Sequence, residues 1–553
     1  MSPARAAGTV DGGLTDRAAG PRRRRLALLL LPALVLAGTL GFDFVFDDDL
    51  VILADPLVTG PLDLPAIFSQ GVRVADVPLP YYRPLVTLSY WVDHALWGEN
   101  PAGYRLSNLL WYLGGVWLVF TAARRAGTGD EAAWAGALLF GLLPVHAEAV
   151  GWIQGRVDLI SAACVLGALC LALAARRADA AGGDWRPWAA GLLLFLGLLA
   201  KESAAMLLLA WLPWEATGPA AGRRTRLAAL AAGGLAYGVL RGLLVGGLPG
   251  FPLDMHPAAL RIAALLGLLE EYARLLALPE PGLHFFRALR FAPDPAALLP
   301  GLAVLGLLLG GGWLAGRQAR HLLPWIAWLP ATLAPALLLA FSRPAPEVGF
   351  FLAERYLYLP SVGWCVLLGI LLARAASPAG RLGAHPLSVG RVCLAGLAVG
   401  YAALLVVRLQ PWADSTLLYP AMLAQPGLPA SVRALAHNNL GRVRLERAEY
   451  AAARREFESA LAEAPGHAAA QNNLGVLLLR QGRPAEARPR LEAAVRLDPN
   501  YADAYGNLGA ALEALEDPGA ARRAYARGLA LAPGSRRLAE GLARVGGAER
   551  RGP

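Results

Sequence analysis

The sequence predicts an all-α protein in which a polytopic membrane helix bundle of about eleven spans precedes an α-solenoid. Three observations carry this. Apolar residues make up 56% of the 553 and charged residues only 17%, whereas an ordinary soluble protein is about a quarter charged. Long uncharged runs recur and are punctuated by arginines, as in cytoplasmic anchors. The last quarter of the chain repeats with a period of 34 residues. The net charge, 51 − 41 = +10, does not indicate nucleic acid, because the arginines sit between apolar runs. Cys164, Cys170, Cys365 and Cys393 all lie in apolar segments with no CxxC pair, which indicates neither a zinc site nor a disulfide framework.

Residues 1–25 form a polar, cytoplasmic N-terminus ending in Arg22, Arg23, Arg24 and Arg25. The uncharged run 26–42 reads as a retained first helix rather than a signal peptide, because many spans follow it. Further spans are expected at 103–123, 130–147, 157–175, 187–200, 203–222, 227–247, 296–316, 322–342, 356–373 and 391–408. A cytoplasmic N-terminus then places Arg124/Arg125, Arg176/Arg177/Arg186, Arg223/Arg224/Arg226, Arg317/Arg320 and Arg374/Arg381 in cytoplasmic loops, the positive-inside pattern. The segment 258–279, with Arg261, Glu270, Glu271 and Arg274, reads as interfacial or cavity-lining. Residues 26–408 are thus the membrane domain of an inner-membrane protein, and 409–433 is a linker. Residues 434–535 hold three repeats, and 536–553 hold a capping helix and tail. Leu440-Gly441, Leu474-Gly475 and Leu508-Gly509 mark the repeats, with Phe457, Leu491 and Tyr525 filling the gaps that the glycines leave. Eleven spans put the repeats on the extracytoplasmic side.

Four groups of polar residues then face that side. Asp47, Asp48 and Asp49 follow the first span, and three adjacent carboxylates at an apolar boundary repel one another. The bland alternative is a solvated loop start, with interfacial calcium at most. His146 and Glu148, then Arg156 and Asp158, lie in one hairpin; they form either a site or a satisfied histidine beside an Arg156–Asp158 pair. Lys201 is the only lysine in the chain. It offers a compact charge suited to a phosphate oxygen, or serves as an interfacial anchor paired with Glu202. Glu354 and Arg355 open the tenth span, with tyrosines that also suit an aromatic belt. Arg355, and more weakly Arg241, suit phosphate binding.

The order Tyr82-Arg83-Pro84-Leu85, Pro144-Val145-His146-x-Glu148, Gly155-Arg156-x-Asp158, Lys201-Glu202 and Glu354-Arg355-x-Leu357-Tyr358-Leu359-Pro360, after an acidic first loop and before 34-residue repeats, resembles a known family. The family is the transmembrane, tetratricopeptide-repeat O-mannosyltransferases and their bacterial relatives, of the GT-C class. The resemblance covers roughly residues 26–535. It implies a membrane transferase that moves a sugar from a polyprenyl-phosphate donor to a hydroxyl, typically of protein Ser or Thr, with inversion. It maps the catalytic acid onto Asp47 or Asp48. Lys201, Arg355 and Arg241 become donor-phosphate contacts, and Arg83, His146, Glu148, Arg156, Asp158, Glu202 and Glu354 support them. No cofactor or metal site is expected; a divalent cation on the aspartates is the less favoured reading. The expected partners are the bilayer, the lipid-linked sugar and an acceptor peptide held by the repeats, with no nucleic acid.

The residue types fit that chemistry. A carboxylate deprotonates the incoming hydroxyl, and cations stabilise the departing phosphate. The sugar carbon passes through an oxocarbenium-like state. Two other classes stay open. A polysaccharide polymerase or O-antigen-type ligase would carry its key residues in a large late external loop. A non-catalytic scaffold presenting repeats would need no acids in the first loop.

Topology is directly measurable. Ser535→Cys is expected to react with a membrane-impermeant thiol reagent added to intact cells. Labelling only after the inner membrane is permeabilised would reverse the assignment.

Overall fold

The computed structural model of the chain describes residues 13–71, 73–74, 77–78, 81–177, 183–246, 258–282, 287–289, 294–338, 350–376 and 388–549. Arg381, the first twelve residues of the expected N-terminus and the tail beyond 549 lie outside them. Two compact units emerge: Met1–Phe285 with Arg290–Arg343 and Leu352–Ala413, and Phe286–Leu289 with Pro344–Phe351 and Asp414–Pro553.

The first unit opens with α1 (Gly13–Leu36), then two short helices, α2 (Pro56–Thr59) and α3 (Leu64–Ser69), and a hairpin of β1 (Arg73–Val74) and β2 (Val77–Pro78). Next come α4 (Pro84–Trp97), α5 (Pro101–Ala126), α6 (Asp130–Leu142), α7 (Ala147–Gly151) and α8 (Arg156–Arg177). The unit continues with α9 (Arg186–Ala200), α10 (Met206–Ala216), α11 (Arg223–Val245), α12 (Ala258–Ala277), α13 (Pro295–Gln318) and α14 (Leu323–Leu337). It closes with α15 (Ser361–Ala376) and α16 (Val389–Leu409). Strands β3 (Arg287–Leu289) and β4 (Phe350–Leu352) are equally short, so helices carry the fold.

Every apolar segment expected to span falls on a helix, and the chain is a multi-pass membrane protein. Among the described residues, six helices are long and apolar enough to cross a membrane. The pair Asp130–Leu142 and Pro144–Gly151, bent by 49°, makes a seventh, and α9, α14 and α15 are shorter apolar helices. The bend corrects the expectation of one continuous helix over 130–147. Pro144 has no N–H to give the helix, and it forces Leu143 into an extended conformation (ψ 123°).

Local sequence explains the long helices. In α5, Asn100 accepts from the Ala102 N–H at 3.1 Å, Pro101 starts the helix, and Gly127 ends it with φ +89°. Ion pairs then show which helix ends meet. Arg24 lies 3.6 Å from Glu131, Arg124 2.6 Å from Asp130, and Arg226 2.7 Å from Glu215. These gather the middle of α1 with the starts of α6 and α11 and the ends of α5 and α10. The opposite end holds the loop after α1, the 144–155 hairpin, Lys201, Glu354 and the end of α16; it is called the Asp47 end below. Between the two ends, α9 and α11 cross with backbones in contact. A Cβ on Gly191 would sit 2.1 Å from the Ala229 carbonyl oxygen, the close approach that small residues permit in membranes.

The second unit contains α17 (Ser415–Leu423), the pairs α18 (Ala430–Glu446) and α19 (Tyr450–Glu463), α20 (Ala468–Arg480) and α21 (Pro484–Leu497), and α22 (Ala502–Ala514) and α23 (Pro518–Leu531), then α24 (Arg536–Glu549). Helix α17 falls within 409–433, expected as a linker; Leu418, Tyr419 and Met422 bury its apolar side. In the repeats, a Cβ on Gly475 would lie 2.6 Å from Leu491, so the glycine makes room for the residue sixteen positions on. An amide ladder links successive repeats: Asn473 donates to Asn438 Oδ1 at 2.9 Å and Asn507 to Asn472 Oδ1 at 2.8 Å. Ala448, Gly482 and Glu516 occupy the same turn of each repeat with φ of +59°, +72° and +58°.

That turn gives a stability prediction. A left-handed residue with a Cβ costs roughly 1–2 kcal/mol, which only Gly482 avoids. Gly482→Ala is expected to destabilise the repeats by about that amount, whereas Ala448→Gly and Glu516→Gly leave stability unchanged or raise it. Thermal unfolding followed by circular dichroism is the measurement; a neutral Gly482→Ala would contradict it.

Candidate functional site

The aspartate loop is folded around Asp48. Phe46 turns the chain with φ +63°. The Val45 N–H then donates to Asp48 Oδ2 at 3.1 Å, and the Asp48 N–H donates to the Val45 carbonyl at 3.1 Å. Asp48 is fully buried, while Asp47 beside it is half-buried. Oδ1 of each is buried with no hydrogen-bond partner among the described residues. Arg105 of α5 holds the loop from beneath. Its Nε donates to the Phe42 carbonyl at 3.0 Å, its Nη1 to the Gly151 carbonyl at 2.7 Å, and its Nη2 to the Asp43 carbonyl.

Burial raises both carboxyls. It pushes Asp47 up to about 6, with Arg355 pulling the other way. It pushes Asp48 up to about 8, helped by the Asp47 charge and opposed by Arg105. Burial and mutual repulsion thus favour a single charge on the pair near neutral pH, with Asp48, the more deeply buried, the harder to ionise.

Lys201, Arg355, Arg241, Arg408 and Arg156 each have a carboxylate partner, and the partner is never the adjacent residue in sequence. Lys201 Nζ lies 2.5 Å from Asp158 Oδ1, at the start of α8. Arg355 pairs with Glu148 through Nη1, and its backbone N–H donates to Glu148 Oε2 at 3.0 Å. Glu202 faces Arg241 at 3.5 Å, and Glu354 pairs with Arg408 at the end of α16. Arg156 is fully buried, 2.5 Å from Asp93, and donates to Asn108 Oδ1 at 2.6 Å and to the Tyr104 carbonyl at 2.7 Å. The Lys201–Glu202 and Arg156–Asp158 pairs considered from sequence are therefore not formed: Lys201 is extended at the end of α9, so it and Glu202 point apart, and residues two apart on a helix, such as Arg156 and Asp158, do not face each other.

Tyr356 joins the two cation–carboxylate pairs. Lys201 Nζ and Arg355 Cζ each lie 5.3 Å from its ring centroid, a cation–π distance. Arg355 also lies 5.3 Å from the Trp152 ring, which Phe46 of the aspartate loop meets edge-on at 5.8 Å. Asp47, Arg355–Glu148 and Lys201–Asp158 thus share one site, built from five segments of the chain.

Other expected site residues sit apart from it. His146 is fully buried between Tyr112 Oη at 3.0 Å and Ser361 Oγ at 2.9 Å, with the Tyr358 ring 4.7 Å away; both ring nitrogens are used in packing α5, α6 and α15 together. Arg83 lies over Tyr81 at 4.4 Å, and its Nε is buried with no partner among the described residues. Arg241 is buried and meets Tyr237 Oη at 3.5 Å. Sequence reading passed over Arg105, Asp93, Tyr356 and Arg408. The signal for Arg105 and Arg408 was available: each is a charge inside an expected apolar span, which is costly without a partner. Among the described residues no group of three His, Cys, Asp or Glu is placed to share a metal ion.

Comparison with known proteins gives the same picture at coarser grain. The tetratricopeptide-repeat family model matches residues 467–533, and a second model of that description matches 438–489. A protein O-mannosyl-transferase of Caenorhabditis elegans, F38B6.6, is 26% identical over 64% of this chain and 51% of its own. TMTC4 of Homo sapiens, also a protein O-mannosyl-transferase, is 27% identical over 59% and 52%. Tmtc1 of Drosophila melanogaster, likewise named, is 34% identical over 31% and 20%. The chain spans about half the length of the first two and a fifth of the third. The crystal structure of ArnT from Cupriavidus metallidurans bound to undecaprenyl phosphate aligns over 91% of this chain and 79% of its own, with 16% identity and a TM-score of 0.40, a loose likeness. The resemblance read from the motifs therefore holds: this is a tetratricopeptide-repeat membrane protein similar to protein O-mannosyl-transferases.

The buried aspartates predict a stability profile. Asp48 has a folded-state value near 8 against 3.8 in the open chain. Below about pH 4 both states hold the proton; between about 4 and 8 only the folded state does, so stability falls as pH rises through that window. Asp48→Asn is expected to flatten the profile and raise the unfolding temperature at pH 8. An unchanged slope in thermal scans from pH 4 to 8 would contradict the burial argument.

Proposed function

We propose that the chain is an inverting GT-C-type glycosyltransferase of the extracytoplasmic face. It moves mannose or a similar sugar from a polyprenyl-phosphate donor to a Ser or Thr hydroxyl of a protein. The observation that carries the reading is the shared site: one ionised aspartate beside two cations on a single tyrosine ring. The names of the relatives support the reaction class.

In this reading Asp47 is the general base. It is ionised above about pH 6 and less buried than Asp48. The acceptor oxygen attacks the anomeric carbon as Asp47 takes its proton. The bond from that carbon to the phosphate oxygen breaks, and the lipid phosphate departs with the electron pair. Lys201 and Arg355 stabilise it through charge-assisted hydrogen bonds.

Both cations already have protein counter-ions, so neither depends on the lipid phosphate for its charge balance. Asp158 and Glu148 keep Lys201 and Arg355 charged and in place before the donor arrives. The phosphate adds to these pairs through the unused N–H donors of each cation. Asp48, neutral through burial, spares Asp47 a second adjacent charge. Arg241 and Arg83, near Tyr237 and Tyr82, extend the positive field toward the donor. The repeats hold the acceptor.

The test is turnover of the purified full chain on a polyprenyl-phosphate sugar and an acceptor peptide. Asp47→Asn is expected to slow transfer by about 10²–10⁴-fold while donor binding persists. Lys201→Met and Arg355→Met are expected to weaken donor binding and slow transfer, and chelators to leave turnover intact. Metal-reversible loss would make the aspartates metal ligands. Wild-type rates in all three variants would leave a scaffold that presents repeats.

A further inference from the structure

A second charged cavity lies at the opposite end of the bundle from Asp47. It has a volume of about 480 Å³ and opens where the middle of α1 meets the last turns of α5 and α8. Arg25, Arg124, Arg125 and Arg177 line it, with Asp130 as the one acid and Trp117 as an apolar wall. Arg124 Nε is 2.6 Å from Asp130 Oδ1, and Arg125 donates to the Cys170 carbonyl at 2.8 Å. No ion pair among the described residues involves Arg25, Arg125 or Arg177. The cavity thus gathers four positive charges around one negative charge.

The plain explanation is that last-turn arginines offset helix dipoles and point into water. Two features go beyond it. The arginines converge on one half-open groove instead of diverging, although like charges so placed repel. The cavity also continues onto a lipid-facing stripe of α5, where Leu110, Trp111 and Trp117 are 61%, 38% and 38% exposed. Leu110 and Trp117, seven residues apart, share one helix face with Trp111 beside them, and the stripe descends from the arginines toward the middle of the span.

We propose that this cavity binds the phosphate headgroup of an anionic glycerophospholipid, with its acyl chains lying along the α5 stripe. Guanidinium forks match phosphate oxygens in pairs, and basic pockets between membrane helices are suited to such headgroups. The arginine-based topology places the lipid in the cytoplasmic leaflet. The site is remote from the transfer chemistry, so it stands or falls separately from it.

The test uses the purified full chain in detergent, with lipid retention read by native mass spectrometry and no sugar donor present. Phosphatidylglycerol and cardiolipin are expected to be retained and to raise the unfolding temperature, while phosphatidylcholine does neither. Arg25→Gln with Arg177→Gln, both without acidic partners among the described residues, is expected to weaken retention by about tenfold. Arg317→Gln with Arg320→Gln, from another loop at the same end, is expected to leave it unchanged. Equal losses in the two double variants, or equal retention of phosphatidylcholine, would overturn the proposal. Protection by inorganic phosphate equal to that of the lipids would assign the cavity to a soluble anion and overturn it also. If the Arg25/Arg177 variant does not fold, the comparison of lipids on the wild-type chain still decides.

Discussion

The Asp47 end of the bundle rests on one constraint: a charge placed among apolar helices must meet its opposite there, and it finds that partner on another segment. Arg156 meets Asp93, Lys201 meets Asp158, Arg355 meets Glu148 and Arg408 meets Glu354. Each pair ties two elements far apart in the sequence. Removing one member would strand the other in a poorly solvating environment, which costs more than the pair itself contributes. The pairs therefore act as clamps that fix the ends of α4, α8, α9 and α16 relative to the 144–155 hairpin.

The aspartate loop depends on those clamps. Arg105 is committed to three carbonyl groups, so it shapes the loop and leaves the carboxylates only partly compensated. That arrangement leaves Asp47 and Asp48 each with a buried, unpartnered oxygen. Unsatisfied groups of this kind destabilise a fold unless they serve a purpose. Burial pushes both carboxyls upward, and the shift makes them suited to holding or accepting a proton near neutral pH.

The repeat unit follows a different logic. Its glycines and bulky residues alternate so that each helix pair closes on itself, and the asparagine ladder connects one pair to the next. Its stability is thus a sum of local and nearest-neighbour terms. The membrane bundle, by contrast, closes through contacts between distant segments.

The sequence by itself determined the fold class. Apolar runs, arginine punctuation and the 34-residue period are local patterns, and a local pattern suffices to choose a helix. It also singled out Asp47, Lys201, Glu148, Asp158 and Arg355 as chemistry-bearing positions. Tertiary structure alone decided how they pair, because backbone geometry sends neighbours such as Lys201 and Glu202 in different directions and the surrounding segments supply their partners. It likewise moved His146 and Arg156 into the packing and brought Tyr356 between two cations. These outcomes turn on contacts between residues tens to hundreds of positions apart, and a periodicity read along one segment does not record which other segment lies against it.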